Sequence, residues 1–218
     1  MKYLIFDIET CPRKDLTAVQ KEDIFNKVKK KMDNNPSMAP DEIESLVCSV
    51  SPFYGQVICI GMKWYDDSNN VTKDIVLCEK TEEETLNKFF NIINHDSCRG
   101  VKFVHYNGLG FDVPFLMIRA TSFNIKITNK SFLNLRRFSF QNHVDLMMFL
   151  CSWDKYNAPK LALACEFYGI ESPKGGEVEG NSVASAFERG DIKAIEEYVS
   201  RDVSATFELF TKLKDYII

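Results

Sequence analysis

Met1-Lys2-Tyr3-Leu4-Ile5-Phe6-Asp7-Ile8-Glu9-Thr10 opens the chain. Tyr3 to Asp7 is a short apolar run without a turn residue and reads as a buried strand. Asp7 and Glu9 stand at i and i+2 where that strand is expected to end, so both carboxylates project on one face of the sheet. Two carboxylates that close repel each other and raise one pKa, unless a cation lies between them. Their natural use is to hold a hard divalent ion through oxygen. An Asp-x-Glu triplet alone is weak, since average usage yields about one per chain of this size. Its placement gives it weight, because solubility does not call for two acids directly behind Leu4-Ile5-Phe6.

The 218 residues carry 27 Lys+Arg against 31 Asp+Glu, a formal net charge of −4. That length suits one globular domain over 1–218 with a sizeable core. An apolar content of 45% with 17 Phe excludes a disordered chain. Mild acidity argues against coating nucleic acid by bulk charge and leaves a local grip open. The first apolar run is too short for a signal peptide, and Leu146–Cys151 is too short for a membrane span. No membrane partner is expected. Seven Cys, with no C-x-x-C pair, indicate neither a disulfide framework nor a zinc knuckle, so reduced thiols in a cytoplasmic protein are expected.

Residues 13–47 are charged and poor in aromatics, and read as a helical insertion with helices near Leu16–Met32 and Asp41–Val47. Strands follow at Gln56–Tyr65, Val71–Cys78 and Val101–Tyr106, with short β segments expected within Ile125–Phe140. Thr81 and Glu84 form a capping box that opens a helix to about Asn94. Further helices are expected from Asp112, near Leu146–Trp153, near Lys160–Tyr168, near Val183–Arg189 and from Asp191 to about Lys214. The last shows an apolar stripe of Ile192, Ile195, Val199, Val203 and Phe210 at helical spacing. The pattern is α/β, a mixed β-sheet flanked by helices.

Two further acidic features join Asp7 and Glu9. Asp112 starts a helix directly after a strand and a glycine-containing turn, where an acid also suits the helix dipole. Tyr198 and Asp202, four apart on the final helix, share one face along the edge of its apolar stripe. In chain order the motifs are Asp7-Ile8-Glu9-Thr10, then Asn107-x-x-x-Phe111-Asp112, then Tyr198-x-x-x-Asp202.

This series resembles the DEDD superfamily of 3′–5′ exonucleases in its tyrosine subtype. Its nearest likeness is to stand-alone proteins related to the proofreading domain of family-B DNA polymerases. The resemblance covers nearly the whole chain apart from 13–47, and segments such as Ser51–Ile60 and His143-Val144-Asp145-Leu146 share it. It implies an RNase H-like fold in which Asp7, Glu9, Asp112 and Asp202 gather two divalent ions, Mg²⁺ or Mn²⁺. Two ions about 4 Å apart both generate a nucleophile from water and stabilise the leaving oxygen. The implied activity is hydrolysis from the 3′ end of single-stranded nucleic acid, DNA favoured over RNA, releasing nucleoside 5′-monophosphates. The intrinsic pKa of tyrosine, near 10, assigns Tyr198 to orienting the attacking water rather than acting as a strong base. By the same resemblance Thr10, Asn107 and Phe111 face the terminal nucleotide, and Asp145 supports its neighbours through hydrogen bonds rather than ligating metal.

From Val113 to Val144 there is no Asp or Glu, but Arg119, Lys126, Lys130, Arg136 and Arg137 alternate with Phe123, Phe132, Phe138 and Phe140. Basic residues among aromatics suit a single strand, and Arg136 and Arg137 are the expected substrate contacts. A solvated face over core phenylalanines would give the same pattern. Two rivals compete with the nuclease. A phosphatase with an aspartyl nucleophile begins with a similar acid pair, although Glu9 stands where that chemistry uses Asp. The other is a catalytically inactive nucleic-acid-binding module on the same fold. No polymerase segment is visible, so a separate polymerase or repair protein is the expected protein partner.

Overall fold

The computed structural model describes residues 1–34, 37–68, 70–175 and 180–217. Its centre is a five-stranded sheet of order β3-β2-β1-β4-β5, made of β1 (Lys2–Pro12), β2 (Gly55–Asp66), β3 (Val71–Leu77), β4 (Lys102–His105) and β5 (His143–Asp145). Strand β1 pairs antiparallel with β2 and parallel with β4, so the sheet is mixed as the pattern required. The first strand is longer than expected. It continues past Asp7 and Glu9 because β2 pairs with it as far as Pro12, through an irregularity between Glu9 and Thr10.

Both faces of β1 are covered, and its alternation sorts the residues. Leu4, Phe6 and Ile8 pack with Leu86, Phe89, Phe90 and Ile93 of α3 (Glu82–Asn94) and with Val113, Phe115 and Leu116 of α4 (Asp112–Ser122). Tyr3 and Ile5 face the other way, onto Val203, Leu209 and Phe210 of the long last helix, Ile192–Ile217. Asp7 and Glu9 share that second face. The last helix approaches closely because β2 carries Gly61 where it pairs with Asp7. A Cβ at Gly61 would lie 2.9 Å from Val199 Cγ2 and 3.0 Å from Val203 Cγ2.

Residues 13–47 enclose most of two helices, α1 (Ala18–Asn34) and α2 (Pro40–Ser49), which bury Ile24, Val28, Ile43 and Val47 against Tyr54. Asn35 and Pro36, between the two helices in sequence, lie outside the described residues. The capping box at Thr81 and Glu84 is formed. After β5 come α5 (Leu146–Leu150), α6 (Leu161–Phe167) and α7 (Val183–Arg189), so the last helix is α8. Residues 176–179, before α7, lie outside the described residues. No described helix is long and apolar enough to cross a membrane.

The β segments expected within Ile125–Phe140 do not form. Side-chain amides organise this stretch instead: Asn94 Oδ1 accepts from the N–H groups of Thr128 and Asn129, and Asn129 Oδ1 accepts from those of Ser131 and Phe132. Phe132 is thereby driven among Phe6, Phe89, Phe90 and Phe103. Strand β5 escaped the sequence pattern because three residues are too few to show alternation.

Candidate active site

Three elements bring the acidic motifs together. Carboxylate oxygens of Asp7 and Glu9 from β1 and of Asp202 from α8 all lie within 4.8 Å of one another. Asp112 joins them from the first turn of α4: its Oδ1 accepts the Ile8 N–H at 3.1 Å, one residue from Asp7. Glu9 and Asp112 are buried. Desolvation therefore pushes all four acids up. For Asp7 the charges of Asp112, Glu9 and Asp202 add to it, and for Glu9 those of Asp202 and Asp112. Asp112 is pushed up to about 6 by burial, with His105 and backbone N–H donors pulling against it. Asp202 is also pushed up to about 6 by burial, opposed by a hydrogen bond to Tyr198 and by Arg201.

Such a cluster is poorly stable without a counter-charge, and four carboxylates offering oxygen alone match a hard divalent cation. The Tyr198 phenol is raised far above its ordinary value, by burial first and then by Asp202, Glu9 and Asp7. It stays a neutral hydroxyl at physiological pH, which accords with an orienting role and not with a base. A groove of about 760 Å³, which none of the four acids lines, runs past Cys11, Ser49, Gly180 and Phe187, so α2 forms one of its walls.

The remaining site candidates are spread around this centre. The Thr10 hydroxyl donates to the Ser49 carbonyl at 2.8 Å and ties β1 to α2. Asn107 holds a left-handed backbone at φ 64° at the turn that leads to Asp112, and its Oδ1 lies 3.4 Å from Lys155 Nζ. Phe111 is half-buried, its ring 5.6 Å from that of Phe115. Arg136 and Arg137 are exposed on the loop before β5. Not every member of the basic and aromatic stretch is available to a ligand. Arg119 lies inside, bidentate on Glu82 at 2.8 and 2.5 Å, and Phe132 is core. Helix α4 turns Arg119 inward, which spacing in one dimension could not reveal.

Beneath the turn lie the hydrogen bonds expected of Asp145 and a histidine pair that sequence reasoning missed. The Asp145 carboxylate accepts the N–H groups of Asn107 (2.9 Å), Leu109 (3.0 Å) and Met148 (3.3 Å). Gly108 lies directly over the His105 ring, where a Cβ would come within 2.3 Å of the ring carbon Cγ. His105 and His143 are both buried, Nε2 to Nδ1 at 3.1 Å. His-x-Asp within β5 was the available signal, and the expectation that Asp145 supports its neighbours matches these bonds.

Residues 52–216 match the family described as "Predicted 3'-5' exonuclease related to the exonuclease domain of PolB". That span holds Asn107, Phe111, Asp112, Tyr198 and Asp202, while Asp7 and Glu9 precede it. Among solved structures the chain is similar to the family B DNA polymerase from the hyperthermophilic archaeon Pyrobaculum calidifontis, at 18% identity and a TM-score of 0.61. The likeness covers 99% of this chain and 25% of the polymerase, so the chain spans about a quarter of that protein's length. No curated protein matches the sequence. The fold is thus the RNase H-like fold of such exonuclease domains, and the chain belongs to the family of predicted 3′–5′ exonucleases related to the exonuclease domain of PolB.

Proposed function

We propose that the protein is a metal-dependent 3′–5′ exonuclease acting on single-stranded nucleic acid, with DNA favoured over RNA. The observation that carries this reading is the convergence of Asp7, Glu9 and Asp202, within 4.8 Å, with Asp112 bound to the Ile8 N–H between Asp7 and Glu9. Two Mg²⁺ or Mn²⁺ ions held by these four residues would neutralise charge on the phosphoryl oxygens and make a bound water acidic enough to attack near neutral pH. The neutral Tyr198 hydroxyl orients that water through its hydrogen bond to Asp202. Asn107 and Phe111 hold the terminal nucleotide against the acids, and Thr10 keeps the floor of the site fixed to α2. Hydrolysis breaks the last P–O3′ bond: the water oxygen joins phosphorus, the leaving 3′ oxygen takes a proton, and a nucleoside 5′-monophosphate departs. The reading extends to a cytoplasmic protein working beside a separate polymerase or repair protein.

A 5′-labelled single-stranded oligonucleotide, incubated with Mg²⁺, Mn²⁺ or EDTA, tests it. A metal-dependent ladder shortening from the 3′ end is expected, faster on DNA than on matched RNA. Binding without any ladder would instead leave an inactive module on the same fold.

A further inference from the structure

The surface beside the site carries a group of rings that packing does not explain. Phe138 is 77% exposed, and its backbone sits at φ 58°, a left-handed conformation unfavourable for a bulky side chain. Its ring lies 5.1 Å from that of Trp153, and Phe140 stacks on the same indole at 5.6 Å. Trp153 and the preceding Ser152 are also left-handed, at φ 66° and 50°. The inner side of Trp153 packs on Met147, Met148 and Cys151, which accounts for Trp153 and Phe140 but leaves the Phe138 face open to water. Backbone strain of this kind persists where a function holds it in place.

The charge around these rings is mainly positive. Arg136 and Arg137 are exposed, and neither makes a hydrogen bond or ion pair with a described residue. Lys155, two residues beyond Trp153, reaches over the Asn107–Gly110 turn to Asn107 Oδ1. The nearby acid, Asp154, is occupied in capping its own turn through the Tyr156 N–H and Asn157 Nδ2. A continuous surface therefore runs from Phe138 across Trp153 and Lys155 to Asn107, five residues before Asp112.

We propose that Phe138, Trp153, Arg136, Arg137 and Lys155 form a platform for the single-stranded segment on the 5′ side of the bond being cut. The proposal rests on the exonuclease reading for its direction. An unpaired base offers the π-face that an open phenylalanine can stack, and a duplex does not. The arginines meet the phosphates of the stacked nucleotides, and Lys155 meets the phosphate nearest the terminal residue. Because the rings lie apart from the acids, the platform serves strands of several nucleotides and leaves the shortest ones untouched.

Fluorescence anisotropy in EDTA, with a labelled 12-nucleotide single strand and a labelled trinucleotide, tests this without any need for turnover. Phe138→Ala, at an exposed site where folding is not at risk, should weaken binding of the longer strand about tenfold and leave the trinucleotide unchanged. Arg136→Ala with Arg137→Ala should flatten the logarithmic salt slope by about 0.7 for each charge removed. With Mg²⁺, KM for the longer strand should rise in both variants while kcat holds. Equal affinity of wild type and Phe138→Ala for the longer strand, or equal losses on both strands, would overturn the platform. A missing ladder in wild-type protein with the binding losses intact would sink the exonuclease reading and leave the platform standing.

Discussion

His105 Nδ1 lies 3.5 Å from Asp145 Oδ2 in a part of the interior sealed from water. The contact falls short of hydrogen-bond geometry. Donor and acceptor logic fixes the protons. The Phe132 carbonyl can only accept, so His143 Nε2, at 2.9 Å from it, carries hydrogen. Burial, and then the charge of His105, push His143 down to about 3, which keeps it neutral with a bare Nδ1. That Nδ1 accepts from His105 Nε2. Burial works to raise the Asp145 carboxyl, but His105 and the N–H groups of Leu109 and Asn107 outweigh it and hold it below the usual range.

Nitrogen NMR should therefore show His143 as the neutral Nε2–H form throughout pH 6 to 8. His105→Leu removes the partner of His143 Nδ1 and the ring that faces Asp145 Oδ2, and should cost about 1–3 kcal/mol in urea unfolding. An unchanged unfolding midpoint would show that the histidine pair contributes nothing to the fold. His105 also bears on catalysis, because it opposes the rise of Asp112.

Asp112 makes stability depend on pH in the metal-free protein. Its folded value of about 6 lies above the ordinary 3.8, so the folded state binds more protons than the unfolded chain between those values. Stability is then lost as pH climbs from about 4 to about 6, and stays lost above. Asp112→Asn keeps an acceptor for the Ile8 N–H and removes the charge. In EDTA at pH 7.5 the variant should be more stable than wild type by on the order of 2 kcal/mol, and the gain should vanish near pH 4. Melting curves at the two pH values read this directly; a destabilised variant at pH 7.5 would mean that His105 and the backbone donors already neutralise Asp112.

Each metal-site acid should be needed for turnover while none is needed for folding. Asp7 lies within 4.8 Å of Glu9 and Asp202 and feels the charge of Asp112, and it contributes nothing apolar to the core. Asp7→Ala should reduce the exonuclease rate by at least about 10³-fold, with an unchanged circular dichroism spectrum. Retention of more than a few per cent of the rate would exclude Asp7 as a ligand of the catalytic ions.

Tyr198 separates orientation from base catalysis. Its phenol is raised and remains protonated well above neutral pH. Tyr198→Phe should lower kcat by about 10²-fold, the scale of a misplaced nucleophile, with little change in KM. The pH–rate profile of wild type should show no limb near pH 10 assignable to a phenolate. Appearance of such a limb, and its loss in Tyr198→Phe, would make the residue a base.

What could be read from sequence follows from periodicity. Asp7 with Glu9 needs only the two-residue repeat of a strand, and Tyr198 with Asp202 only the four-residue repeat of a helix, so both pairs landed on the expected faces. Asp112 was legible because a strand, a turn and a helix start follow in order. The stretch 125–140 was not, because Asn94 and Asn129 replace ladder bonds with side-chain amide bonds that carry no period. Arg119 misled for a related reason: its partner Glu82 is 37 positions away, and α4 decides which way it points. The contact of His105 with His143 joins β4 to β5 across 38 positions, and such a contact leaves no local trace.

Gly61 links the sheet to the chemistry. It pairs with Asp7 across β1 and β2, and it lets Val199 and Val203 of α8 rest directly on the strand. Tyr198 and Asp202 each precede one of those valines, so the depth of this contact sets how far the helix carries them toward Asp7 and Glu9. Gly61→Ala places a methyl 2.9 Å from Val199 Cγ2, and backbone on one side with a β-branched side chain on the other leaves little room to yield. Overpacking of this kind costs about 1–3 kcal/mol. The expected result is a lower melting temperature together with a fall in kcat larger than the loss of folded protein explains. Val199→Ala removes both methyls that the new Cβ would meet on that residue. The double variant Gly61→Ala with Val199→Ala should therefore recover activity relative to Gly61→Ala alone. If stability returns and kcat does not, the spacing between α8 and β2 does not govern the site, and Gly61 acts on folding alone.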